Sequence, residues 1–241
     1  VLTMSGAGLK TAGTPGVTAA TLTVNGGASF TVGAFTLDVN GTTTIGGTLS
    51  LTSNTGAKTL DGAVTVNSGG VLTLAASSPT FGAAVNISGT MSCTVNTGTK
   101  TYSGPVTVLN GGIVNLQACT ATFTNTVTVN SGGALRFITA ATGTKTFNGT
   151  VTIDSGGSLL PSQATTVAFN ADVTSNGTWN ETAAVVMGFA GNLTNNSSSW
   201  TAGNGVHTFS GASKTISGTT AVVIPNTTIT GTRTNVNTLT V

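Results

Sequence analysis

Val64-Thr65-Val66-Asn67-Ser68-Gly69-Gly70-Val71-Leu72 returns, nearly letter for letter, as Val127-Thr128-Val129-Asn130-Ser131-Gly132-Gly133-Ala134-Leu135. In each copy apolar and hydroxyl-bearing residues alternate before the chain meets a Gly-Gly corner. Alternation with period two marks a short strand with one buried and one wet face. Val and Thr suit such a pleated, half-buried backbone. Glycine belongs at the corner because tight turns of this kind use positive φ.

Working outward, the same unit recurs along the chain. A large residue preceded by a small one stands at Leu60, Phe81, Tyr102, Phe123, Phe147, Phe169, Phe189 and Phe209, in steps of 21, 21, 21, 24, 22, 20 and 20. Four and six residues after each anchor come inward pairs such as Val64/Val66, Val85/Ile87, Val106/Val108 and Val151/Ile153. A second strand is expected to point inward 12 and 14 residues after the anchor, at Leu72/Leu74, Cys93/Val95, Val114/Leu116 and Leu135/Phe137. A third, more variable side returns the chain to the next anchor.

Two or three short strands cannot bury their inner faces alone; stacking each unit on the next closes the core and pairs the backbone in parallel. The expected fold is therefore all-β: a single-stranded parallel β-helix, or β-solenoid, of about ten coils of roughly 21 residues. An antiparallel sandwich also spaces its strands evenly, but it would not return equivalent positions to one face. The solenoid is expected over residues 18–241. Residues 1–17, with Gly6, Gly8, Gly13, Pro15 and Gly16, fit no coil and are expected to form an N-terminal extension or cap.

Composition bounds the function. Seven Lys and Arg and five Asp and Glu leave a net charge of +2 in 241 residues. The cations are scattered, whereas nucleic-acid binding needs them clustered. No apolar run approaches the ~20 residues that span a bilayer, so neither nucleic acid nor membrane insertion is expected. A hydroxyl- and amide-rich surface suits an extracellular or cell-surface setting.

Catalysis needs acids, bases or nucleophiles brought together. Asp61, Asp154, Asp172 and Glu181 share no column in the register, and His207 is the single histidine. No enzyme, cofactor or metal site is expected. The Thr-Gly-x-Lys-Thr runs at 55–59, 97–101 and 142–146 lack the adjacent Gly-Lys pair and following helix of a phosphate loop. Cys93 is placed in an inward column with Leu72 and Val114, and Cys119 on a different side of the coil. They are expected as buried free thiols, with a Cys93–Cys119 disulfide as the alternative.

Two columns are expected on the surface. Thr59, Thr80, Thr101, Thr122 and Thr146, with Thr208, directly precede the anchors. Lys58, Lys100 and Lys145 stand two before the anchor in alternation with Pro79 and Ala121, as a solubilising edge or a contact for acidic glycans. Ranked threonines resemble those of ice-binding solenoids, but the regular columns lie six residues apart, where a bend is expected to separate them.

The Val-Thr-Val-Asn-Ser-Gly-Gly-x-Leu units at 64–72 and 127–135 resemble repeats of bacterial surface and secreted proteins: haemagglutinin-like proteins, autotransporter passengers and gliding-type adhesins. The resemblance covers most of residues 20–241 and implies location and class, not a ligand. Thr238-Leu239-Thr240-Val241 repeats Thr21-Leu22-Thr23-Val24, so coils are expected to continue past this strand, in a second copy stacked end to end or in a longer solenoid chain. The expected role is a structural subunit of a surface filament or stalk. The alternative is an adhesin segment that binds glycan, or ice, through a regular surface column.

Overall fold

The computed structural model describes residues 1–95, 97–138, 142–163, 165–236 and 238–241. Among them every regular element is a β-strand of two to five residues. The strands form three long parallel sheets of 12, 10 and 11 strands, in which each strand pairs with those one coil before and one coil after. The chain is a β-solenoid of about eleven coils with three sides.

The anchor series is one continuous ladder of the third sheet. Ala19, Val39, Leu60, Phe81, Tyr102, Phe123, Phe147, Phe169, Phe189, Phe209 and Ile229 pair in succession. From Phe81 to Phe147 the rings stack with centroids 4.5–4.8 Å apart and planes within 6° of parallel. The stack continues through Phe169 and Phe189 to Phe209 at 5.1–5.2 Å, tilted by 15–21°. Aromatic pairs add about 0.5–1.5 kcal/mol each beyond the area they bury, so this column ties successive coils together along the rod.

The first sheet carries the inward pairs as expected: Val64/Val66 lie between Thr43/Ile45 and Val85/Ile87. The corner after this sheet explains the paired glycines. Gly111 and Gly132 both take φ +77°, where a side chain is strained. Gly112 has an ordinary φ, but a Cβ there would collide with the Ile87 carbonyl of the preceding coil.

Two expectations are corrected. In the second sheet Leu72 pairs Met91, and Leu74 pairs Cys93, which pairs Leu116. The inward pair of that strand is thus Met91/Cys93, and Val95 is exposed. Ser88-Gly89 turns the corner in two residues where Asn67-Ser68-Gly69-Gly70 uses four, and this shifts the strand by two. Residues 1–17, which fit no coil by sequence, supply strands at Leu2–Met4 and Gly8–Thr11 that pair in register with Leu22–Val24 and Ala28–Thr31. Their long corner, Ala12–Gly16, had hidden the unit.

Candidate functional surfaces and buried polar groups

The threonine column lies where it was expected. Thr59, Thr80, Thr101, Thr122 and Thr146 pair in succession on the outer face of the third sheet. A second column runs beside it on the same strands. Thr99 pairs Thr120, and Thr144 pairs Thr166. Side chains two residues apart point the same way in a strand, so Thr99/Thr101, Thr120/Thr122 and Thr144/Thr146 form a Thr-x-Thr array. The expected separation by a bend applies only to the threonines of the first sheet, such as Thr65 and Thr107.

The lysine column is inside the rod, not on its edge. Lys58, Lys100 and Lys145 are 2%, 0% and 0% exposed. The reason is the pleat: a residue two before an inward anchor shares its face. Each ammonium turns back to the corner that precedes its strand. Lys58 Nζ donates to the carbonyls of Thr55 and Gly56, at 2.5 and 2.8 Å. Lys100 Nζ donates to those of Thr97, Gly98 and Val95, at 2.8, 3.0 and 3.3 Å. Lys145 Nζ reaches Thr142 and Gly143 at 2.7 and 2.9 Å, and Gln117 of the coil before at 2.9 Å. The Thr-Gly-x-Lys-Thr runs are thus carbonyl corners closed by their own lysine, with Gly98 at φ +74° making the bend. Burial pushes the Lys58 ammonium below its usual range and lowers Lys100 and Lys145 to about 8.

His207 continues the lysine column, three rungs beyond Lys145 through Val167 and Met187. It serves the same purpose: its Nδ1 donates to the Gly205 carbonyl at 2.8 Å. Its Nε2 lies 2.9 Å from Glu181 Oε2, and both side chains are buried. By column arithmetic Glu181 had no partner; the corner at 181–185 folds it inward to meet the histidine. Both ring nitrogens are thereby engaged with the carbonyl and the carboxylate. A hollow of about 290 Å³ lies beside Glu181, Ala183, Gly203 and Asn204. A wider one of about 410 Å³ opens at the first coil among Leu2, Met4, Ala12, Val17 and Phe30.

The remaining charged groups work locally. Asp172 accepts the Asn192 backbone N–H at 2.8 Å and its side-chain amide at 2.9 Å, and the backbone bond chiefly holds its carboxyl below the usual range. Arg233 lies over the Phe209 ring at 5.2 Å and donates to the Phe189 and Gly191 carbonyls. Asp61 and Asp154 do not join them. Among the described residues no three His, Cys, Asp or Glu side chains gather as metal ligands, and no helix is long and apolar enough to cross a membrane.

The cysteines are bonded. A disulfide joins Cys93 to Cys119, with Cα atoms 5.9 Å apart and both residues fully buried. This corrects the expectation of two free thiols. The two-residue shift moves Cys93 to the end of its strand, against the corner of the next coil where Cys119 turns inward.

Comparison with protein-family models, with curated proteins and with solved structures finds no match for this chain.

Proposed function

We propose that this chain is a rod-forming structural element of an extracellular filament or stalk, lengthened by further coils stacked on the same three ladders. The observation that carries the reading is the constancy of the register. Across ten successive coils the same three strands pair in parallel with those of the neighbouring coils, and past Ser199–Thr201 the first and third sheets continue. A parallel edge with unpaired N–H and C=O groups is itself a template for another strand. The Cys93–Cys119 bond fits an oxidising compartment, and the repeat pattern resembles that of bacterial surface and secreted proteins.

The reading is non-catalytic. His207 spends both nitrogens on holding Glu181 and Gly205, and the outward column from Thr59 to Thr146 on the third sheet is all threonine. An adhesin that grips acidic glycans through lysines is no longer supported, because Lys58, Lys100 and Lys145 point inward.

Negative-stain electron microscopy of the purified chain tests the proposal. Rods that grow by joining end to end, in multiples of the roughly 50 Å that eleven coils span, are the expected result. Particles that stay at a single length at high concentration would overturn self-stacking.

A further inference from the structure

We propose that the corner at 181–185 binds a small monovalent cation of ammonium size, potassium or ammonium itself, with Glu181 as its anionic ligand. The site lies on the side of the rod and stands whether or not rods join end to end.

The rod already shows how its corners take a positive charge. Lys58, Lys100 and Lys145 each send an ammonium back to the carbonyls two and three residues before it. Around Lys100 and Lys145 those N···O distances are 2.7–3.0 Å. His207, in the same column, gives its Nδ1 proton to the carbonyl two residues before it, that of Gly205. Met187 stands in this column one coil before His207 and is fully buried. The carbonyls two and three before it belong to Val185 and Ala184, and a thioether has no proton to give them.

In place of a lysine this corner has a hollow and a carboxylate oxygen. The hollow, of about 290 Å³, lies between the 181–184 and 202–204 segments. Glu181 lines it, yet is only 1% exposed. Its Oε2 is taken by His207 at 2.9 Å, whereas its Oε1 is buried without a hydrogen-bond partner. Oε1 faces Gly203 across the hollow, for a Cβ at 203 would stand 3.0 Å from it. An unpartnered buried oxygen is costly, and a cation that takes it as a ligand removes the cost.

Charge sets the valence. His207 Nδ1 holds one proton for Gly205, and one further proton lies between Nε2 and Oε2, so the pair is neutral as a whole. One monovalent cation brings this corner to the single positive charge that each lysine corner holds. A divalent ion would bring two, with no second carboxylate among the residues that line the hollow. Size follows from the lysines. Corners of this side accept an ammonium at hydrogen-bond distance, potassium is close to ammonium in size, and backbone carbonyls can replace its water shell.

The test melts the full chain in potassium chloride and in choline chloride at equal ionic strength, followed by circular dichroism. Potassium at about ten times its dissociation constant is expected to raise the melting temperature by about 3–6 °C, and ammonium chloride to do the same. Glu181→Gln is expected to lose most of this rise. Should that variant fail to fold for want of its bond to His207, Met187→Lys carries the comparison. It tethers an ammonium two and three residues after the Val185 and Ala184 carbonyls, so it is expected to gain nothing from potassium. Equal melting of the wild type in the two salts, as if water alone served Oε1, overturns the proposal. So does a potassium response that survives in full in either variant, or a rise produced by calcium chloride and not by ammonium chloride.

Discussion

Lys100 and Thr101 are neighbours in sequence that face opposite ways: the Lys100 ammonium is sealed against the Val95, Thr97 and Gly98 carbonyls, and Thr101 stands on the outer face. One peptide bond separates the interior chemistry of the rod from its exterior. The lysine satisfies carbonyls that a tight corner would otherwise leave without donors, and unpaired buried groups are costly.

Lys100→Met should therefore destabilise the rod by about 1–3 kcal/mol, the cost of leaving buried carbonyls without a partner. Lys145→Met should cost at least as much, because Lys145 also holds Gln117 of the preceding coil. Guanidinium denaturation of the three proteins measures the difference. A variant as stable as the wild type would show that the corners do not need the ammonium.

Stability should rise with pH on the alkaline side. Burial lowers Lys100 and Lys145 to about 8 in the folded chain, against about 10.4 unfolded. Between these values the unfolded chain binds more protons, so unfolding becomes harder as pH increases. Below about 8 both states are protonated and this contribution is flat. Denaturation midpoints from pH 7 to about 10 should climb in the wild type and climb less in Lys100→Met; above that the buried Tyr102, whose pKa burial raises, opposes the climb.

Reducing the Cys93–Cys119 bond opens a loop of 26 residues, and loop-closure entropy puts the loss at about 3.5 kcal/mol. Melting with and without a thiol reductant measures it. A non-reduced peptide digest should contain the two cysteines in one linked fragment; recovery of both as free thiols would contradict the bond.

Gly112→Ala should destabilise by about 1–3 kcal/mol through overpacking, since its Cβ would strike the Ile87 carbonyl. Gly26→Ala, whose Cβ would meet the Gly46 carbonyl at an ordinary 3.8 Å, should be nearly neutral. Equal effects would remove the close approach between coils as the reason for glycine at the second corner position.

The anchors and the first-sheet pairs were legible in the sequence because large or β-branched residues at constant spacing leave few ways to stack. The second sheet was misread at one strand, where Ser88-Gly89 replaces a four-residue corner and equal counting from Phe81 lands on Cys93/Val95 in place of Met91/Cys93. The lysines were misplaced for a different reason. Period two put Lys100 on the same face as Tyr102, but the usual cost of burying a charge argued for the surface, and the carbonyls that offset it lie in a corner with no pattern of its own. The signal was present: each of Lys58, Lys100 and Lys145 follows a Thr-Gly pair by two residues. The Glu181–His207 contact had no comparable signal, since it spans 26 residues across an irregular corner.

The uneven steps between anchors, from 20 to 24 residues, fall in the corners, and the ladders absorb none of them. Size in this molecule is accordingly modular. Deleting or duplicating one whole turn of chain would shorten or extend the rod by a single rung while presenting the same inner and outer columns on either side of the join. Unequal recombination within such a gene would yield rods of different lengths with the same cross-section, so length is the trait this architecture leaves freest to vary.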